Sequence, residues 1–150
     1  MELILWRHAE AEDGTPDIER ELTGKGRKQA DKMAAFLRDR LPAHTRILVS
    51  PAKRTQQTAL ALTKHYITDA ALGTSANPQM VLDAAGWPDA EGAVLIVGHQ
   101  PTLGQIAALL LTDSSAGFSV KKGAVWWLTR RTNEGDFQTN LKLAITPESL

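Results

Sequence analysis

Apolar runs that stop abruptly at polar residues organise this chain. Leu3-Ile4-Leu5-Trp6 ends at Arg7-His8, Ile47-Leu48-Val49 at Ser50-Pro51, and Ala93-Val94-Leu95-Ile96-Val97 at Gly98-His99-Gln100-Pro101. Short continuous runs of this kind, bounded by turn residues, are expected of strands buried on both faces, as inside a parallel sheet. Between them the period changes. After Thr23, an expected N-cap, Ala30, Met33, Ala34, Leu37 and Leu41 share one helical face, with Lys25, Arg27, Lys28, Lys32 and Arg38 mostly off it. Pro42 closes that segment, and Gly24 and Gly26 weaken its first turn. Ser50-Pro51 predicts a helix over 51–65, with Ser50 as its cap, Ala59, Leu60 and Leu62 on its apolar face and Arg54 in its first turn.

Residues 66–72 read as a short edge strand. Asn77-Pro78 opens a short helix that carries Met80, Val81, Ala84 and Ala85 and stops at Gly86. Pro101 suits the first turn of a helix whose stripe is Leu103, Ile106, Ala107, Leu110 and Leu111. Two strands, Ala124-Val125-Trp126-Trp127-Leu128 and residues 137–145, are joined by a turn at Asn133-Glu134-Gly135 and extend the sheet at one side. The expected class is α/β: one domain over 1–150, three-layer α/β/α, with a mostly parallel central sheet extended by a C-terminal hairpin.

Composition narrows the partners. Of 150 residues, 43% are hydrophobic, and 17 basic residues balance 17 acidic ones, which fits a globular chain rather than a nucleic-acid carrier. The balance is uneven along the chain, with seven acids against two arginines in residues 1–21 and ten basic residues against two acids in residues 22–65. The basic excess reads as solvated helix faces. Absence of cysteine excludes a disulfide framework, a thiolate zinc site and a cysteine nucleophile. The amino terminus enters its first apolar run directly and no apolar segment is long enough to span a membrane, so a cytoplasmic location is expected, with neither membrane nor nucleic acid as partner.

The chemistry lies where strands stop. Ligands of open α/β sheets bind beyond the carboxyl ends of the strands. If the three buried strands are neighbours, Arg7, His8, Arg54 and His99 converge there, with Arg54 beside the free amides of a helix start. Two guanidinium forks and two imidazoles make a pocket for a phosphate or phosphoryl group, and apart from the Glu10/Glu12 loop no flanking carboxylate neutralises them. The four histidines, at 8, 44, 65 and 99, offer no H-x-x-x-H pair, so neither a metal site nor a cofactor is expected. His44 and His65 read as surface residues, and Lys121-Lys122 as a solvated pair before a strand. Of Trp126 and Trp127, one is expected in the core and the other exposed or lining a groove.

Four motifs carry a resemblance. Leu5-Trp6-Arg7-His8-Ala9-Glu10, Arg20-Glu21-Leu22-Thr23-Gly24-Lys25-Gly26, Val49-Ser50-Pro51-Ala52-Lys53-Arg54-Thr55-Gln56-Gln57-Thr58-Ala59 and Val97-Gly98-His99-Gln100-Pro101-Thr102-Leu103 together resemble the histidine phosphatase (phosphoglycerate mutase-like) superfamily. Its compact form is similar to the SixA group of phosphohistidine phosphatases. The resemblance implies a metal-independent phosphatase in which His8 is the nucleophile and becomes a phosphohistidine. Arg7 and Arg54 would hold the phosphoryl oxygens and His99 would stabilise charge in the transition state. A monomer acting on phosphohistidine in a phosphorylated protein is the expected form. A small-molecule phosphomonoesterase of the same superfamily and a non-catalytic phosphate-recognition module stand as alternatives. Many superfamily members carry an acidic proton donor after the second strand and its helix. Here that region offers Asp69, Asp83, Asp89 and Glu91 without a matching motif, and Glu10, Glu12 and Asp13 read as a solvated loop.

Overall fold

A computed structural model describes residues 1–150 apart from Ser115 and Glu134, and apart from the side chains of Thr132, Asn133 and Asp136. Six strands form one sheet: β1 (Glu2–Arg7), β2 (Arg46–Val49), β3 (Ile67–Thr68), β4 (Ala93–Gly98), β5 (Val125–Asn133) and β6 (Asp136–Ile145). Their spatial order is β3-β2-β4-β1-β5-β6. The first four run parallel, and β5 and β6 are antiparallel additions at the β1 side. The expected mostly parallel sheet with a C-terminal hairpin is therefore the observed one. The turn expected at 133–135 includes Glu134, which lies outside the described residues.

Alternation along β1 makes the layers. Leu3 and Leu5 pack on one face with Leu82, Leu103 and Ile106, which belong to α3 (Pro78–Ala85) and α4 (Thr102–Thr112). Ile4 and Trp6 pack on the other with Met33, Leu37 and Ala59, from α1 (Gly24–Arg38) and α2 (Lys53–Leu60). Each of these strand side chains is fully buried, which stabilises by about 1.5–3 kcal/mol per large apolar residue. Burial on both faces is what the unbroken apolar runs require. Trp127 lies in the core and Trp126 is half-buried, stacked on Phe118.

Several boundaries differ from the expected ones, each for a local reason. Helix α2 spans Lys53–Leu60 rather than 51–65. The Ser50 carbonyl accepts from Thr55 Oγ1 and Gln56 Nε2, the Ser50 hydroxyl turns to His99, and the cap position falls to Ala52. In 66–72 only Ile67–Thr68 pairs as strand, because Asp69 caps a 3₁₀ turn, Ala70–Leu72. Helix α1 stops at Arg38, short of Pro42, so Leu41 joins the core from beyond the helix. Helix α4 begins at Thr102, with Gln100 Oε1 rather than a proline start accepting from Gly104 N. As expected, Thr23 caps α1 through Gly26 N (2.8 Å), and Asn77 and Gly86 bracket α3.

The two glycines opening α1 are not equivalent. A Cβ on Gly24 would meet nothing, whereas one on Gly26 would collide with the Glu10 carbonyl, where the loop after β1 lies against the helix. Gly26→Ala should therefore lower the free energy of unfolding by about 1–3 kcal/mol. Gly24→Ala should raise it by up to about 1 kcal/mol. Urea denaturation of the two variants beside the parent checks both signs.

Candidate active site

Three adjacent parallel strands deliver the site. Arg7 pairs with Gly98 in the β1–β4 register, and Val49 with Val97 in the β2–β4 register, so the residues that follow each strand emerge side by side. Backbone bonds continue past the strand ends, from His8 N to Gly98 O (3.1 Å) and from Ser50 N to Val97 O (3.1 Å). His8, His99 and Arg54 are 7%, 6% and 5% exposed, and the two imidazole centroids lie 5.4 Å apart. Together with the half-buried Arg7 they line a cavity of about 220 Å³. All four side chains singled out in the sequence are thus in one place.

Helix α2 holds both sides of this cavity. Its Arg54 lies in the first turn as expected, and Thr58, one turn later, accepts from Ala9 N through Oγ1 while donating to Arg54 O. Gln57 Oε1 accepts from Leu22 N and so pins the return of the loop after β1. The polar residues of the Arg54-Thr55-Gln56-Gln57-Thr58 segment are therefore committed to backbone partners that orient the cavity walls.

A hydrogen bond fixes the state of the first imidazole. His8 Nδ1 lies 2.7 Å from Ala9 O. A carbonyl can only accept, so Nδ1 carries the proton and the Nε2 lone pair is left for an electrophile. His99 Nε2 lies 2.7 Å from Ser50 Oγ, which also accepts from Ala52 N. Donation from that hydroxyl to Nε2 would make Nδ1 of His99 an N–H donor. Among the described residues, Nδ1 of His99 and the Nε atoms of Arg7 and Arg54 have no hydrogen-bond partner, although buried polar atoms normally do. Unspent donors on three of four convergent residues suit an oxyanion.

Burial and neighbouring charge keep the rings neutral. Desolvation pushes the His8 pKa down to about 3, with His99, Arg54 and Arg7 adding to the effect against the bond to Ala9 O. Desolvation also pushes His99 down to about 4, helped by Arg54 and Arg7 and opposed by Asp17. Arg7 is lowered too, by burial and then by Arg54. Of the four convergent residues, only the two arginines thus carry positive charge at neutral pH, and the His8 ring contributes a lone pair.

One carboxylate does line the cavity, and the sequence reading did not single it out. Asp17 comes from the acidic loop, where it sits in a 3₁₀ turn, Asp17–Glu19. Its Oδ2 lies 3.1 Å from Arg54 Nη2, and its main-chain oxygen accepts from Nη1. The loop expected to be merely solvated therefore supplies a counter-ion to the arginine. Hydrogen bonds from Arg20 and then Arg54 hold the Asp17 carboxyl below its usual range, so it is ionised near neutrality and cannot donate a proton. Glu10 is tied to Thr23, Asp69 to Ala71 N, Asp83 to Gln79 and Asp89 to Arg130. Neither these residues nor Glu12, Asp13 and Glu91 line the cavity. Among the described residues no cluster of His, Cys, Asp and Glu could hold a metal ion. Arg20, Thr74, Gln100 and Lys122 complete the walls, and none of them was singled out for this site in the sequence. Only tertiary folding brings them together.

The family model of the histidine phosphatase superfamily (branch 1) matches residues 3–73, which hold the first three of the four motifs but not the one around His99. A search of curated proteins finds no match. Among solved structures, the chain is similar to a candidate SixA phosphohistidine phosphatase from Nakamurella multipartitia (TM-score 0.81, 26% identity, 97% of this chain and 95% of that one). It also shares the fold of the protein histidine phosphatase SixA solved with tungstate (TM-score 0.80, 22% identity, 99% of each chain). The fold extends to a phosphoserine phosphatase mutant from Entamoeba histolytica, solved with phosphoserine (TM-score 0.74, 18% identity, 99% and 98% covered). Over residues 3–73 the chain matches the family model of the histidine phosphatase superfamily, and over almost its whole length it shares the fold of these solved structures.

Proposed function

We propose that the protein is a phosphatase that transfers a phosphoryl group to His8 and then to water, and that its substrate is phosphohistidine carried by another protein. The observation that carries this reading is the bond from His8 Nδ1 to Ala9 O, which leaves a neutral ring with its Nε2 lone pair among two arginines and His99. Nε2 attacks phosphorus in line, the Nε2–P bond forming as the bond to the leaving group breaks. Arg7 and Arg54 hold the non-bridging oxygens in planar forks, and the Nδ1–H of His99 meets the charge that builds on them.

Proton accounting favours the substrate class. A phosphohistidine whose second ring nitrogen is protonated departs as neutral imidazole, while His8 becomes the same protonated phosphoramidate. One P–N bond replaces another and no donor is needed. Water then attacks phosphorus, the P–Nε2 bond breaks, His8 returns neutral with its proton on Nδ1, and both protons of water leave on dihydrogen phosphate. A phosphomonoester would instead expel an alkoxide, which demands an acid. The cavity's one carboxylate is held ionised and cannot serve.

One experiment tests the reading. The protein is mixed briefly with ³²P-labelled phosphohistidine protein and quenched in base, and in parallel kcat/KM is measured for that protein, sugar phosphates, phosphoglycerates and phosphoserine peptides. The expected outcome is a base-stable, acid-labile label on the His8 peptide, absent in His8→Ala, and the highest kcat/KM for the phosphohistidine protein. Turnover retained in His8→Ala would refute the mechanism. A phosphomonoester turned over far faster than phosphohistidine would refute the substrate, and phosphate binding without label would leave a recognition module.

Arg54→Lys keeps a positive charge but loses the fork that grips oxygens and Asp17 together. We expect kcat/KM to fall about a hundredfold or more, with circular dichroism and melting temperature close to the parent's.

Stability should carry the signature of the buried rings. Both folded pKa values lie below the ordinary 6.5, so between that value and about 4 the unfolded chain binds more protons than the folded one. The contribution is complete above about pH 6.5 and is lost as pH falls toward the folded values. Urea denaturation across that range should show a slope that shrinks in His99→Asn and shrinks further when His8→Asn is added.

A further inference from the structure

Arg7 and Lys122 line both the catalytic cavity and a second, larger concavity of about 530 Å³. The second concavity is also lined by Lys25 and Lys121, and against these four cations stand two carboxylates, Glu10 and Glu148. Both carboxylates are already engaged, Glu10 with Thr23 Oγ1 and Glu148 with Gln29 Nε2. Among the described residues, none of the ion pairs involves Lys25, Lys121 or Lys122, and all three are exposed.

The lysine pair is not loosely placed. Gly123 N donates to His8 O (3.0 Å), Trp6 Nε1 donates to Gly123 O, Arg7 Nη1 donates to Val120 O (2.9 Å), and Arg7 N bonds to Ala124 O. The segment that carries Lys121 and Lys122 is therefore bonded to the backbone and side chains of the catalytic strand end itself. Gly123 makes this possible, with φ of +73° and Pro147 packed where a side chain would stand. A concavity that shares Arg20 with the cavity has the opposite charge, with Glu12, Asp13, Glu19 and Glu21 in its walls, while one that shares Thr74 has no charged residue in its walls.

We propose that the lysine-lined groove receives an acidic segment of the phosphorylated protein next to its phosphohistidine, which deepens the function proposed above and rests on it. Phosphorus sits over His8, and the flanking carboxylates lie along Lys25, Lys121 and Lys122. A small phosphorylated molecule fills the inner cavity and makes no use of the groove. The acidic wall on the Arg20 side repels the same flank, so the pair of surfaces selects the direction in which the substrate chain crosses the site. Such contacts act on encounter and selection more than on the chemical step.

The test uses matched peptides that carry one phosphohistidine flanked by acidic, neutral or basic residues, with p-nitrophenyl phosphate as the small reference. For the parent protein at low salt, kcat/KM should rank acidic above neutral above basic, by about three- to tenfold per step, and the ranking should compress as salt is raised. In Lys25→Glu/Lys121→Glu the order should reverse while p-nitrophenyl phosphate turnover stays unchanged. Equal values across the three flanks, or a preference that survives charge reversal, would overturn the groove assignment. Should no substrate be turned over, the phosphatase reading fails. The groove is then judged by fluorescence anisotropy of the labelled peptides, where the same ranking supports it and equal affinities refute it.

Discussion

Everything at the site depends on the register between β1 and β4. With Arg7 opposite Gly98, His8 leaves the sheet where its amide can still bond to Gly98 O, and His99 leaves at the same height on the next strand. A slip of one residue would send Leu3 and Leu5 to the face now occupied by Ile4 and Trp6 and would exchange the orientations of Arg7 and His8. Because both faces of β1 are buried against different helix pairs, such a slip would disrupt two cores at once. The precision of a four-residue cavity is thereby inherited from the packing of side chains that take no part in its chemistry.

The electrostatics follow from the same burial. Guanidinium groups keep their charge in a desolvated place, whereas imidazoles surrender theirs. In the proposed mechanism this separates two tasks that a cluster of four cations would confuse: attraction, which would fall to the arginines, and bond making, which would fall to a ring with a lone pair. Ser50 holds the second ring in place through its hydroxyl, 2.7 Å from Nε2.

Strands, layers and the four convergent residues were legible in the sequence because each depends on a local pattern: an apolar run, a helical stripe, a residue just past a strand end. Asp17 was not legible. Its approach to Arg54 depends on how the loop returns, through the Ala11–Leu22 bridge, the Gln57 side chain and the close contact at Gly26, and none of these leaves a periodic trace. Ser50 was misread for a different reason. A serine before a proline at a strand end carries the signature of a helix cap, and only the position of His99 on the neighbouring strand shows that its hydroxyl has another partner. Lys121 and Lys122 look like any solvated pair until the backbone bonds from Gly123 and Arg7 tie their segment to β1.

The ion pair between Arg54 and Asp17 has a kinetic side. An incoming phosphoryl group must displace an acceptor that the guanidinium already holds, and a departing phosphate leaves behind a carboxylate ready to close on the same atoms. Because Asp17 is largely exposed, its carboxylate regains water on letting go, while phosphoryl oxygens would take its place on the buried guanidinium. In the proposed reaction the loop would act as a resident competitor that trims the grip on free phosphate without removing the charge, and so would shorten the time the product occupies the cavity between turnovers.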